Sequence, residues 1–219
     1  MSRTENPEEA ENQWVSVPKQ RRTRARLERI YAVAEALFEA QGFENTTLRQ
    51  VAAGVPCSMG TIYDRFEGKD ALLLAMHERL RLRLLQALPM LVPSERLRHL
   101  DLSRWLQLAV QGACASITGH LGLRRAVMER CIGSEVVAQK ERAYREELCG
   151  YFVRGLSLYA DDIRHPDPAL AAQHIYSMLT AVISQRYDMR LEPPSGRLND
   201  PDFLEECTRM CMGYLVHAP

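Results

Sequence analysis

The sequence predicts an all-α protein, with a three-helix unit near the N-terminus and a larger helical bundle after it. From about residue 23 onwards, long segments repeat apolar residues at spacings of three and four, which is the pattern of amphipathic helices. Proline, glycine and Asp-Pro breaks separate these segments, and no hairpin pattern lies between them. The 219 residues, of which 46% are hydrophobic, are enough to build a buried core.

Charge is distributed unevenly along the chain, although the net charge is zero. Residues 1–16 hold one arginine and four glutamates, whereas residues 17–69 hold nine basic and six acidic residues. Much of the basic excess lies in residues 18–26, with the sequence PKQRRTRAR. Considered alone, such a run is as typical of a solvated helix start as of a segment that binds nucleic acid. Beside a motif that reads nucleic acid, it predicts contact with a phosphate backbone.

The composition excludes several classes of protein. No apolar segment approaches the roughly 20 residues that a membrane span needs, and the polar, acidic first residues lack the pattern of a secretory signal. We therefore expect a cytoplasmic protein. The six cysteines follow no disulfide framework and are expected to be reduced. Residues 1–17 cannot bury enough apolar surface and are predicted to be a disordered tail.

The first two helices are predicted from their start and stop signals. The first covers residues 23–41, and Gly42 supplies its C-terminal stop. The second opens at Thr47, because Thr47 and Gln50 have the spacing of a capping box. It should end before Pro56, since the residue that precedes a proline avoids the α region.

The third helix is predicted over residues 59–65, directly after Ser58, which is a good N-cap residue. Ile62 and Phe66 lie four residues apart and should point inward, which leaves the other faces for contacts outside the chain. Two short helices joined by a tight turn form a helix-turn-helix, the motif that places a recognition helix in the major groove of DNA.

A set of residues in this region has a recognisable spacing: Thr46, Thr47, Val51, Ala52, Ser58, Gly60, Ile62, Tyr63, Phe66 and Lys69. Over residues 24–73 the chain therefore resembles the TetR family of bacterial transcription regulators. One departure lies in the turn, where Val55, Pro56 and Cys57 replace the family's Ala-Gly-Val. Proline is not expected to adopt the positive φ of a turn glycine. The second helix should therefore end early, at Gly54, with an altered pitch of the recognition helix.

The resemblance implies which residues contact the DNA backbone. Thr47, Tyr63 and Lys69 stand at phosphate-contact positions of the motif, and Ser58 serves as N-cap and as a further phosphate donor. A DNA-binding domain over residues 18–69 follows from this resemblance.

The same motif implies which residues meet the bases. Met59 and Thr61 would face base edges, where an apolar Met59 would favour a thymine methyl group. Gly60 would let the helix approach the groove wall closely. Two arginines, one in the basic run and one at the start of the second helix, complete the set. The predicted DNA-binding residues are Arg24, Thr47, Arg49, Ser58, Met59, Gly60, Thr61, Tyr63 and Lys69.

Residues 70–219 are predicted to form a ligand-binding and dimerisation domain, as the resemblance implies. A fourth helix over residues 70–88 would join the two domains, with Glu78 and Arg79 in its exposed part. Further helices are predicted over residues 96–118, 121–132, 135–159, 168–190 and 202–216. The resemblance implies that the last two pair with their symmetry mates in a homodimer, through residues such as Leu179 and Leu215. The alternative is that both helices only close the core of one chain.

An effector pocket in the helical bundle is also implied by the resemblance. Its candidate ligand-binding residues are Trp105, Cys131, Tyr144 and His174. Ordinary core packing is the alternative for each of them. Cys207 and Cys211 have a spacing that suits a metal or a redox couple, but no further ligand motif accompanies them, so we predict no metal site and no cofactor. No catalytic motif is present, and an enzyme is not predicted.

Together these patterns predict a homodimeric transcription regulator that binds double-stranded DNA at an inverted-repeat operator. It would be a repressor released by a small-molecule effector. The alternative is an effector-binding dimer whose altered turn weakens DNA binding, and which acts through a protein partner.

Overall fold

The computed structural model describes residues 21–87, 99–187 and 199–216, and every regular element within these ranges is helical. The helices are α1 (Arg21–Gln41), α2 (Leu48–Gly54), α3 (Met59–Tyr63), α4 (Lys69–Ala87), α5 (Leu102–Thr118), α6 (Leu121–Cys131), α7 (Glu135–Leu156), α8 (Pro168–Tyr187) and α9 (Asp200–Val216). A 3-10 helix, Ser157–Asp162, follows α7 directly. The prediction of an all-α fold is confirmed.

Capping residues explain where helix ends differ from the prediction. Helix α5 begins at Leu102 rather than at residue 96, because the Asp101 carboxylate accepts a hydrogen bond from the Arg104 amide at 2.7 Å. Helix α7 ends at Leu156 and the chain continues as the 3-10 helix, in which Tyr159, the predicted end, leaves helical geometry with a φ of −107°. The predicted end of α8 at residue 190 and the predicted disorder of residues 1–17 lie outside the described residues.

The chain divides into two compact units. Of the described residues, unit 1 comprises 21–84 and 120–142, and unit 2 comprises 85–87, 99–119, 143–187 and 199–216. Unit 1 therefore holds α1, α2, α3, most of α4, α6 and the first turns of α7. The functional boundary predicted after residue 69 stays a prediction.

Helix α1 is central to the core of unit 1. Its buried residues recur at the predicted spacing of three and four: Leu27, Ile30, Tyr31, Ala34 and Phe38. Helix α6 crosses α1 at Gly122, where a Cβ atom would lie 2.5 Å from the backbone oxygen of Glu35. The two backbones can approach this closely only because Gly122 has no side chain.

Most of α4 is buried within unit 1, so the expectation that its middle is exposed was wrong. Arg79 is 8% exposed, forms an ion pair with Glu28 of α1, and lies 4.8 Å from the ring centroid of Tyr31. His77 Nε2 is 2.9 Å from Glu141 Oε2 on α7, and both residues are buried. These contacts fix α4 to α1 and α7. Glycines at positions 78 and 79 would therefore disturb the core as well as soften the helix.

The core of unit 2 lies between α5, α8, α9 and the end of α7. Trp105 packs against the rings of Phe152 and Tyr159, with centroid distances of 5.4 Å and 5.9 Å. A Cβ atom at Gly155 would lie 2.3 Å from the indole of Trp105, so a larger residue there would displace the ring. No helix in the described part of the chain is long and apolar enough to cross a lipid bilayer.

Leu179 and Leu215 lie inside this chain, which corrects their assignment as contacts between two chains. They are 1% and 0% exposed in the single chain. The exposed face of α8 instead carries Leu170, which is 54% exposed, and His174 and Ser177. The alternative interpretation, in which the last two helices close the core of one chain, therefore holds for the two leucines.

Candidate DNA-binding surface

Helix α2 begins with the capping box that the sequence predicts. The Gln50 amide donates to Thr47 Oγ1 at 3.3 Å, and the Thr47 amide donates to Gln50 Oε1 at 2.8 Å. The two bonds satisfy backbone donors that helix geometry leaves open and fix the direction in which α2 starts. Arg49, in the first turn, is exposed to solvent.

The turn after α2 keeps one of the two hydrogen bonds of a Schellman motif, because the residue at its glycine position is a proline, which has no N–H for the second bond. Helix α2 ends at Gly54, as predicted, and the Cys57 amide donates to the Ala52 carbonyl at 3.3 Å. Pro56 stands between them with a φ of 22°, so the expectation that proline avoids positive φ here was wrong. Because the pyrrolidine ring favours a φ of about −65°, this backbone is strained.

Helix α3 presents one face inward and the other outward. Ser58 Oγ accepts a hydrogen bond from the Thr61 amide at 3.2 Å and lies 3.0 Å from Thr61 Oγ1. Ile62 and Phe66 are both 0% exposed, which confirms that they point inward. Tyr63 lies on the outer side and is 58% exposed. A buried anchor thus supports a surface that is open to an external ligand.

The predicted contact residues differ in how accessible they are. Ser58, Gly60 and Tyr63 are exposed on α3 and at its cap, whereas Met59 and Thr61 are half-buried. Met59 packs against the hydrophobic core of unit 1, so only part of its side chain is open to a base. All of these contacts with DNA stay predictions.

Gly60 has free space on this surface. A Cβ atom there would have Ser58 Oγ as its nearest neighbour, at 3.7 Å, which is an ordinary van der Waals distance. The fold itself therefore does not require a glycine. The space at Gly60 remains open for a molecule outside the chain.

Lys69, a predicted phosphate contact, is already engaged within the protein. Its ammonium donates to the Phe43 carbonyl at 2.7 Å and to the Glu44 carbonyl at 3.2 Å, and lies 4.3 Å from the centroid of the Phe43 ring. Arg24, the contact predicted from the basic run, is half-buried on α1.

Two residues of α6 contact the segments on either side of the helix-turn-helix, and sequence reasoning missed both. Glu129 Oε2 accepts from the Phe43 amide at 3.1 Å. Arg130 forms a bidentate pair with Asp70, with Nε and Nη2 at 2.9 Å and 2.7 Å from the two carboxylate oxygens. These partners lie 86 and 60 residues apart in sequence, so no local spacing could have indicated them.

The four predicted effector-binding residues are divided between the two units. Cys131 belongs to unit 1 and packs against its core, whereas Trp105, Tyr144 and His174 belong to unit 2. Trp105 and Tyr144 are buried, at 5% and 4% exposure, but His174 is exposed beside Tyr214. Periodicity placed these residues on helices but did not indicate which face each helix buries.

A polar cluster closes the end of α8 onto the start of α9. The Tyr187 hydroxyl donates to Asp200 Oδ1 at 2.7 Å, and Arg186 Nη2 lies 2.9 Å from the same oxygen. Burial, together with this hydrogen bond to Asp200, raises the pKa of Tyr187. Hydrogen bonds from Tyr187 and Arg186 lower the pKa of Asp200. The cluster therefore holds an ionised carboxylate and a neutral phenol at neutral pH.

The two cysteines of α9 are in an environment that disfavours thiolate chemistry. Burial raises the pKa of Cys207 to about 11 and that of Cys211 to about 12. Thiols of this kind stay protonated at neutral pH and are poor nucleophiles and poor metal ligands. The described residues contain no group of three or more His, Cys, Asp or Glu side chains that could hold a metal ion.

Comparison with known proteins decides what this helix-turn-helix is. Residues 30–76 match the family model of bacterial regulatory proteins, tetR family. The N-terminal domain is a TetR-family helix-turn-helix domain. No curated protein sequence is similar enough to this chain to count as a relative.

Solved structures of TetR-family regulators share the fold over most of the chain. A tetR-family regulatory protein from Rhodococcus RHA1 superposes with a TM-score of 0.68 at 20% identity, covering 89% of this chain and 98% of its own. SmeT, the repressor of the Stenotrophomonas maltophilia multidrug efflux pump SmeDEF, superposes with a TM-score of 0.60 at 22% identity, covering 87% of this chain and 88% of its own. The ketosteroid transcriptional regulator KstR2 of Mycobacterium tuberculosis superposes with a TM-score of 0.60 at 15% identity, covering 87% of this chain and 95% of its own. The chain therefore has the fold of a TetR-family transcription regulator.

Proposed function

We propose that this protein is a DNA-binding transcription repressor that leaves its operator when a small effector binds in unit 2. The observation that carries the proposal is the outer face of the helix-turn-helix. Ser58, Gly60 and Tyr63 stand exposed on a helix whose inner residues, Ile62 and Phe66, are completely buried. A rigid helix with an open polar face is what reading a major groove requires. Such a protein would work in the cytoplasm.

Repression is supported by a protein that shares the fold, whereas effector release rests on the resemblance to the family. SmeT is described as the repressor of a multidrug efflux pump and KstR2 as a ketosteroid transcriptional regulator. Neither description identifies an effector for this chain, since the identities are only 22% and 15%. Trp105 and Tyr144 stay proposed contacts of an effector inside unit 2, whereas exposed His174 is better suited to a surface role.

A homodimer would let two copies of α3 read an inverted repeat, with half-sites separated by about 34–36 Å. We place its interface on the outer face of α8. Leu170, His174, Ser177 and Ala181 follow one another at spacings of four, three and four, and all are exposed in the single chain. This row replaces Leu179 and Leu215 as the surface that a partner would cover.

The salt dependence of DNA binding tests the proposal. Arg49→Ala removes an exposed cation beside the recognition helix, so the slope of log K against log salt should fall by about 0.9 if that cation neutralises one phosphate. Tyr63→Ala should weaken binding to all sequences alike, because a phosphate contact carries no sequence information. Arg164, an exposed arginine in unit 2, provides the matched control, and Arg164→Ala should leave both affinity and slope unchanged.

Two outcomes would count against this function. Equal effects of Arg49→Ala and Arg164→Ala would mean that the helix-turn-helix does not contact DNA. An intact dimer without measurable affinity for any DNA sequence would instead favour the alternative, a regulator that acts through a protein partner.

A further inference from the structure

The capping box at the start of α2 uses one end of the Gln50 side chain and leaves the other end open. Gln50 Oε1 accepts the Thr47 amide at 2.8 Å and the Thr47 hydroxyl at 2.9 Å, and Gln41 Nε2 lies 3.3 Å from it. A carbonyl oxygen has two lone pairs, so these donors saturate it. Within the described part of the chain, Gln50 Nε2 forms no hydrogen bond, and the residue is exposed.

Thr47 determines which end of the Gln50 amide faces outward. A backbone N–H can only donate, so the side-chain atom 2.8 Å from Thr47 N is the oxygen, and the two N–H donors point away from the cap. The proton of the Thr47 hydroxyl is used in the bond to Gln50 Oε1, and its oxygen accepts the Gln50 amide at 3.3 Å. The side-chain donors that this cap offers to an external ligand are therefore those of Gln50 Nε2.

We propose that Gln50 Nε2 donates to a phosphate oxygen of the operator, so that one side chain both caps α2 and contacts the DNA backbone. The nitrogen can donate but not accept, which suits a phosphate oxygen. A glutamine that reads adenine needs its oxygen as well, and the oxygen of Gln50 is occupied inside the chain. The inference rests on the proposed function and deepens it.

The position of Gln50 also favours the backbone over the bases. Helix α2 is the first helix of the helix-turn-helix, the one that crosses the DNA backbone, and amide side chains are among the groups that contact phosphates. Thr47 and Arg49, the neighbouring residues proposed to contact the backbone, are exposed like Gln50.

The oxygen end of Gln50 is braced from α1. Gln41 Nε2 also donates to the Asn45 carbonyl at 2.8 Å, and Asn45 Nδ2 donates back to the Gln41 carbonyl at 2.9 Å. These bonds hold Gln41, which in turn holds Gln50. A side chain that is already ordered loses less conformational freedom when it binds a ligand. The Gln50 amide is thus prepared for its contact before DNA arrives.

Gln50→Glu separates the proposed contact from the cap. A glutamate here still accepts the Thr47 amide, so the capping box is kept, but both N–H donors are lost and a negative charge is added. Affinity for a DNA duplex selected from a random library should fall roughly tenfold or more, while the midpoint of thermal unfolding stays near that of the parent. Gln139→Glu, which makes the same charge change at an exposed position of α7 in the same unit, should keep the affinity of the parent.

Gln50→Ala combined with single neutral phosphates identifies the contact itself. The same duplex is prepared with one phosphate at a time replaced by a methylphosphonate, and affinity is measured for each position. One phosphate in each half-site should matter to the parent and lose that effect in both Gln50→Ala and Gln50→Glu. Because a glutamine neutralises no phosphate charge, the slope of log K against log salt should be the same in Gln50→Ala as in the parent.

Two results would overturn the inference while leaving the proposed function intact. One is parental DNA affinity in Gln50→Glu together with weak binding by Gln50→Ala, which would show that Gln50 acts only as a cap. The other is a pattern of phosphate effects that is the same in the parent and both variants. Failure of the parent protein to bind any DNA would instead overturn the proposed function, and this inference with it.

Discussion

Gly60→Ala tests whether the glycine is required for DNA binding or for the stability of the fold. A Cβ atom at this exposed position meets only Ser58 Oγ, at 3.7 Å. The substitution therefore introduces no clash inside the chain. An alanine in place of a helix glycine stabilises the helix by about 0.5–1 kcal/mol, so the midpoint of thermal unfolding should rise by a few degrees.

The same methyl group should impair DNA binding. If the backbone at Gly60 lies against the groove wall, an added methyl displaces α3 by about the radius of that group and costs one or two backbone contacts. Hydrogen bonds to charged phosphates contribute about 1.5–3 kcal/mol each, so affinity should fall at least tenfold. Fluorescence anisotropy with a labelled DNA site measures the loss, and differential scanning calorimetry measures the gain in stability.

Gly150→Ala is the matched control for this experiment. Gly150 also lies within a helix, α7, and its added Cβ would meet only the flexible end of Arg154, at 3.3 Å. DNA affinity should be unchanged by this substitution. Full DNA affinity in a stabilised Gly60→Ala variant would refute the assignment of α3 as the helix that enters the groove.

Three further predictions follow from the geometry. Pro56→Gly should raise the free energy of unfolding by about 1 kcal/mol, since it removes strain at a φ of 22°; a lower melting temperature in calorimetry would refute this. Leu170→Glu should give folded monomers in sedimentation, because Leu170 is exposed, while Leu179→Glu should unfold the chain because Leu179 is buried; a folded dimer in both would refute the placement. Stability should fall as pH rises above about 9, because burial raises the pKa of Cys207 to about 11 and that of Cys211 to about 12, above their unfolded values; Cys207→Ser should make this dependence less steep, and an unchanged dependence would refute the assignment.

Interactions that depend on a few neighbouring residues could be predicted from the sequence. The capping box of Thr47 and Gln50 and the N-cap of Ser58 lie within four residues of their partners, so their spacing is visible in the chain. The buried positions of Ile62 and Phe66 follow from helical periodicity for the same reason.

Contacts between distant segments could not be predicted in this way. The bond from Lys69 to Phe43 spans 26 residues and that from Arg130 to Asp70 spans 60, and nothing in the local pattern selects these partners.

The strained backbone at Pro56 and the face that each helix buries could also not be predicted from the local sequence. Proline's preference for negative φ predicted a different turn, whereas the amide of Cys57 and the buried Val55 and Ile62 hold the chain on both sides of Pro56. Periodicity shows that a helix has an apolar face but not what covers it. The interior position of Leu179 was missed for this reason.

Selection of bound DNA from a random library tests the central claim most directly. The account predicts one enriched sequence with dyad symmetry, whose half-sites change when Met59 or Thr61 is substituted and stay the same in Tyr63→Ala. Enrichment of no sequence, or of a site without dyad symmetry that is unaffected by substitutions in α3, would contradict it.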